Sequence, residues 1–203
     1  MVFWMGDEEF YLYTGQVQKL PCSVRSYVFN DFNKSQSEKI TVGINSAFSE
    51  VWWFYPSADS ESIDRYVVYN YQEKVWYYGA LPRSAWLDRG IDQYPIAAGL
   101  DGYLYYQEFG TDDGSTSPPA AITSYIQSSQ MSIGAGDNFV LLSRQTTASN
   151  VARTATVPVE QFTEQVRLRL RGRSFALKVA SDETGVEWRL GTPRVDIRPD
   201  GRR

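Results

Sequence analysis

Between Lys39 and Gly110 the chain runs repeatedly from apolar and aromatic stretches into short polar breaks: VGINSAFSEVWWFYP, DRYVVYNY, KVWYYGAL and DGYLYYQEF. Runs of β-branched and aromatic residues bounded by Gly, Pro, Asn, Asp and Ser predict antiparallel strands, because bulky rings pack well on a pleated surface. Upstream, VFWM and FYLYTG flank Gly6-Asp7-Glu8-Glu9, a turn sequence, and predict a first hairpin. Residues 22 to 38 break the pattern. Val24, Tyr27, Val28 and Phe32 recur there at three- and four-residue spacing, which predicts a short amphipathic helix or helical turn. The segments 57–62 and 72–73 are polar and short enough to close hairpins.

Four antiparallel strands in about 40 to 50 residues are the signature of a β-propeller blade. PIAAGLDGYLYYQEFG matches VFWMGDEEFYLYTG in outline, an apolar run, an acidic Gly-containing turn and alternating rings, and so predicts the opening of another unit. An aromatic-rich β-sandwich fits the same pattern equally well. The turn formers and prolines of GTDDGSTSPPAA predict a linker that neither ladders nor packs. The fold expected is all-β: partial propeller blades in an aromatic region, 1–110, a linker, 111–121, and a smaller sandwich-like β-domain, 122–203. A closed propeller takes at least four blades, roughly 160 residues, so the first region is too short to close a ring alone. Its open edges are association sites.

Composition narrows the chemistry. None of the 203 residues is histidine, which removes the usual general base and metal ligand. Cys22 is the only cysteine, so no internal disulfide exists, and a small buried apolar role is expected of it. No apolar run reaches the roughly 20 residues that span a bilayer, and the first residues lack a signal-peptide pattern, so synthesis in the cytoplasm is expected. Charge is uneven: residues 1–159 carry 10 Lys+Arg against 17 Asp+Glu, and residues 160–203 carry 10 against 7.

Three constellations stand out. Arg167, Arg169, Arg171 and Arg173 alternate with Val166, Leu168 and Leu170, and a strand would send all four guanidinium groups to one face about 7 Å apart, suited to an acidic surface or a phosphate backbone. A solvated or charge-guarded edge accounts for the same row. Trp52, Trp53, Trp76 and Tyr78 offer a stacking surface for sugars or bases, with core packing the commoner role for such rings. The adjacent Trp52 and Trp53 must point to opposite faces of their strand, so one of them needs cover from a neighbouring blade or a partner. Glu108 with Asp112 and Asp113, or Asp59 with Glu61, would be the carboxylate pairs of a glycosidase, but both sets fall in loop sequence where solvation is expected. No catalytic, cofactor or metal motif is present, and no catalytic or cofactor-binding residue is expected.

At WWFYPSADSESIDRYVVYNYQEKVWYYGALPRSAW, and again at RGRSFALKVASDETGVEWRLGTPRVDIRPDGRR, the chain resembles the C-terminal part of the tail hub or nozzle (packaged-DNA stabilisation) proteins of short-tailed bacteriophages. The resemblance implies an aromatic β-propeller with a β-rich platform, a ring of identical subunits in the virion tail next to the portal, adaptor and other tail proteins, and a channel through which DNA passes without sequence readout. The family is not enzymatic. On that reading Arg189, Arg194 and Arg198 join the arginine row as subunit-docking residues. The chain departs from the family in its short length. A glycan-binding or adhesion module on a phage or bacterial surface is the alternative, with the Trp and Tyr strands stacking on sugars.

Overall fold

The computed structural model describes residues 1–129, 131, 132, 138–140, 154–160, 163, 165–168, 174–191, 194, 195 and 199–202. The protein is all-β, built of several antiparallel sheets with almost no helix. Two compact units divide the chain, Met1–Gly110 and Thr111–Arg203.

The first unit contains three consecutive meanders. β1 (Val2–Met5), β2 (Phe10–Tyr13) and β3 (Val17–Leu20) form the first sheet. A short helix α1 (Arg25–Asn30) and a 3-10 segment (Lys34–Lys39) follow, so the helical turn expected over 22–38 is split in two. The second sheet has four strands in sequence order: β4 (Thr41–Asn45), β5 (Glu50–Tyr55), β6 (Arg65–Asn70) and β7 (Val75–Gly79). VGINSAFSEVWWFYP is therefore two strands and a turn. β8 (Arg83–Leu87), β9 (Ile96–Gly99) and β10 (Leu104–Tyr106) make the third sheet. The segment PIAAGLDGYLYYQEFG thus holds the last two strands of a sheet, not the opening of a new unit. β8 comes first and takes the edge position that would otherwise fall to β9.

Every residue of β5 is buried, because the second sheet is covered on both faces. On one face Val51, Trp53, Tyr55, Val67 and Tyr69 pack with Phe10 and Leu20 of the first sheet and with Val28 and Phe32. Phe10 sits between Trp53 and Trp76, with ring centroids 5.1 Å and 4.7 Å away. On the other face Trp52, Phe54, Ile63 and Val68 pack with Tyr66, Tyr77 and Trp86. Trp86 of β8 stacks on Trp52 at 5.3 Å and donates its indole N–H to the Ile44 carbonyl at 2.8 Å. Gly43 makes this contact possible, since a Cβ there would lie 2.5 Å from the Trp86 ring.

The loop from Pro56 to Asp64 is pinned locally. Asp64 accepts from the Ser57 N–H and hydroxyl, both at 2.7 Å, and the Asn33 amide donates to the Ser60 carbonyl at 2.9 Å. Arg65 pairs with Asp31 and Asp64, each at 3.3 Å.

In the second unit, β11 (Asp112–Asp113) pairs with β12 (Ala120–Ala121). The turn-rich segment expected not to ladder therefore forms a minimal one, because its prolines lie between the paired residues. β13 (Ser124–Gln127), β14 (Met131–Ser132), β15 (Asn138–Val140), β16 (Ser174–Phe175), β17 (Lys178–Ser181) and β18 (Pro199–Arg202) pair as β13 with β17, β14 with β16 and β15 with β18. Gln165–Leu168 has no regular secondary structure. The strand expected to align the arginine row is therefore not formed at its start.

Candidate assembly surface

Strand alternation assigns the two faces of each outer sheet. In the third sheet Trp86 and Ala97 face the core. The register Ala85↔Ala98↔Leu104 and Leu87↔Ile96↔Tyr106 places six apolar side chains on the opposite face. That face is open: Leu87 is 66% exposed, Leu104 74% and Tyr106 59%. Tyr94 and Phe109 extend it, their rings 5.3 Å apart and edge to face. An antiparallel sheet that keeps one face in water alternates apolar with polar residues, and this one does not.

The first sheet has the same property. Phe3, Met5, Phe10, Leu12 and Leu20 face the core, which leaves Val2, Trp4, Tyr11, Tyr13, Val17 and Lys19 on the other side. Trp4 stacks on Tyr11 at 5.3 Å, and Val2, Tyr13 and Val17 are exposed. Among the described residues, the outer faces of the first and third sheets are therefore largely apolar, the third open and the first exposed at Val2, Tyr13 and Val17 around half-buried Trp4 and Tyr11. Sequence reasoning found the aromatic strands but not these faces, because assigning a face needs the register of β8, which the pattern did not reveal.

The residues expected as a stacking surface lie elsewhere. Trp53 is fully buried and Trp52 is 7% exposed, so neither ring presents a face to a ligand. Burial follows from the cover on both sides of β5. Trp76 is half-buried against Phe10, Trp53 and Tyr69 and donates to the Pro21 carbonyl at 2.9 Å, and half-buried Tyr78 stacks on Tyr27 at 3.8 Å.

The arginines are not brought together in what is described. Arg167, Arg189 and Arg194 are exposed, and Arg189 pairs with Glu187 at 3.4 Å. Arg169, Arg171, Arg173 and Arg198 lie outside the described residues.

The carboxylates separate too. Asp59 and Glu61 are exposed in the β5–β6 loop, Asp112 accepts from the Gly185 N–H at 2.6 Å, and Asp113 accepts from the Ser115 N–H at 2.9 Å. Glu108 is exposed as a residue, but its carboxyl reaches Asn45 of the second sheet, where partial desolvation first and the neighbouring Glu50 second raise its pKa. Burial holds the Cys22 thiol up at about 11, so it stays protonated at neutral pH.

No family model matches the chain, and no significant match is found among curated proteins. Among the described residues no helix is long and apolar enough to cross a membrane, and no three His, Cys, Asp or Glu side chains gather as a metal cluster.

Proposed function

We propose that the chain is a structural subunit of a bacteriophage tail, a hub or nozzle protein whose aromatic sheets are completed by neighbouring copies in a ring. The observation that carries the assembly role is the pair of largely apolar outer faces on the first and third sheets. Inside the unit the same kind of face is already buried twice, at Phe10 on Trp53 and at Trp86 on Trp52. The two outer faces are unlike, one led by Trp4 and Tyr11 and the other by Leu104 and Tyr106, which suits head-to-tail contacts; these close into a ring or run on as a filament, and the ring is what the phage resemblance favours. Three successive meanders, the central one four-stranded, support a reading as propeller blades. The phage assignment rests on the resemblance of the aromatic strands and of the arginine-rich C-terminal segment. Portal and adaptor neighbours, a virion location and passage of DNA belong to that assignment, and the role is assembly rather than turnover.

Sedimentation of the purified chain tests the reading. The wild type sediments as an oligomer, and Leu104→Lys combined with Leu87→Lys sediments as a monomer with an unchanged circular dichroism spectrum. A wild-type chain that is folded and monomeric at about 100 μM, well above the Kd range of a standard specific interface, removes the proposal.

A further inference from the structure

Asn45 closes the β4–β5 hairpin opposite Glu50, and both residues are buried. The Asn45 amide nitrogen donates to Glu50 Oε2 at 3.4 Å and to Glu108 Oε1 at 3.5 Å, both long for such bonds. The amide oxygen on the same carbon is buried with no hydrogen-bond partner, against the rule that buried polar atoms are paired. Glu50 Oε2 also accepts the Trp52 indole N–H at 3.1 Å. Among the described residues neither carboxylate forms an ion pair with a lysine or arginine. Glu108 is exposed, which opens the cluster to solvent.

Two carboxylates that converge on one buried amide, without a cation, repel each other, and the buried Glu50 is the one that solvent screens least. A half-turn of the Asn45 side-chain amide exchanges its nitrogen and oxygen in place, since the two are nearly equal in size. The oxygen then points between the carboxylates in place of the two long N–H bonds, the amide NH2 takes the buried position that the oxygen left, and the set facing the gap becomes all oxygen. Such a set suits hard divalent ions and not zinc, which favours nitrogen and sulfur. Calcium fits better than magnesium, because it tolerates irregular geometry and takes amide carbonyls readily.

We propose that Glu50, Glu108 and the Asn45 carbonyl bind a calcium-like divalent cation, with water in the remaining positions. The ion would tie the segment after β10 to the β4–β5 hairpin and so fasten the third sheet to the second. This inference is independent of the ring.

Terbium, an oxygen-seeking calcium substitute, reports on the site through energy transfer from Trp52. Titration of the full chain with terbium under tryptophan excitation gives saturable emission that calcium displaces, and calcium raises the Tm. Glu108→Gln, which keeps the shape and removes one repelling charge, weakens terbium binding at least about tenfold, in line with the loss from disturbing a metal ligand. It also abolishes the calcium-dependent rise in Tm. Asn45→Asp supplies a third carboxylate and tightens binding. Absent emission, equal emission from Glu108→Gln, or weaker or unchanged binding in Asn45→Asp overturns the site.

Discussion

Single residues set how closely the sheets approach. Gly43 lies under the Trp86 ring, and that ring is held by its bond to the Ile44 carbonyl, so an added methyl group finds no room. Gly43→Ala should cost about 1–3 kcal/mol, the range for overpacking a filled interior, read from urea unfolding. Lys74, at φ 57°, ends the β6–β7 turn in the left-handed region, where Asn70 Oδ1 already accepts from the Gln72 and Glu73 N–H groups. Removing its Cβ relieves that strain, so Lys74→Gly should raise stability by about 0.5–1 kcal/mol in the same measurement. Cys22, with its thiol held up by burial, should react with a disulfide reagent at pH 8 far more slowly in the folded chain than after denaturation.

Elements are held by what covers them. The first sheet is short and reaches the second through Phe10, whose ring also meets Phe29 at 5.2 Å, and through Phe3, edge to face on Tyr69 at 5.9 Å. Phe10→Ala should therefore cost about 3–5 kcal/mol, as large-to-small changes in cores do, with calorimetry showing a lower Tm. β5, β6 and β7 were legible in the sequence because long runs of Trp, Tyr and Val leave no other element to form. β3 and β8 were not. VQKL has two polar residues out of four, and RSAWL is short and interrupted by a bulge between Arg83 and Ala85. Such strands form because a neighbouring strand offers a ladder, and a neighbour is not part of a local pattern. The arginine row alternates with the right period, yet Gln165–Leu168 is not a strand, since period alone supplies no partner for its backbone.

Across the whole molecule, alkaline pH should separate the folded and unfolded states. Burial raises the phenols of Tyr55, Tyr66, Tyr69 and Tyr77 above their ordinary value, with the Glu50 carboxylate adding to the effect at Tyr77. Unfolded tyrosines ionise near pH 10, so above that the unfolded chain sheds protons that the folded one keeps. The stability from these groups is complete below about pH 9 and falls as pH climbs through 10 and beyond, with Cys22 adding to the loss between about 9 and 11. Urea midpoints measured from pH 7 to 11 should stay level at first and then drop. A midpoint flat to pH 11 would contradict burial of these rings.

Composition and spacing alone determined that this is an all-β chain rich in aromatic strands, without histidine chemistry, and that Trp52 and Trp53 must face opposite ways. These follow from local rules, since side-chain alternation and ring size act within a few residues. Only the tertiary structure decided that both tryptophans are buried, that the outer faces of the first and third sheets are left largely apolar, and that Glu108 meets Glu50 and Asn45. Each of those facts depends on pairs distant in the chain, whose meeting is set by register and by packing against Phe10 and Trp86.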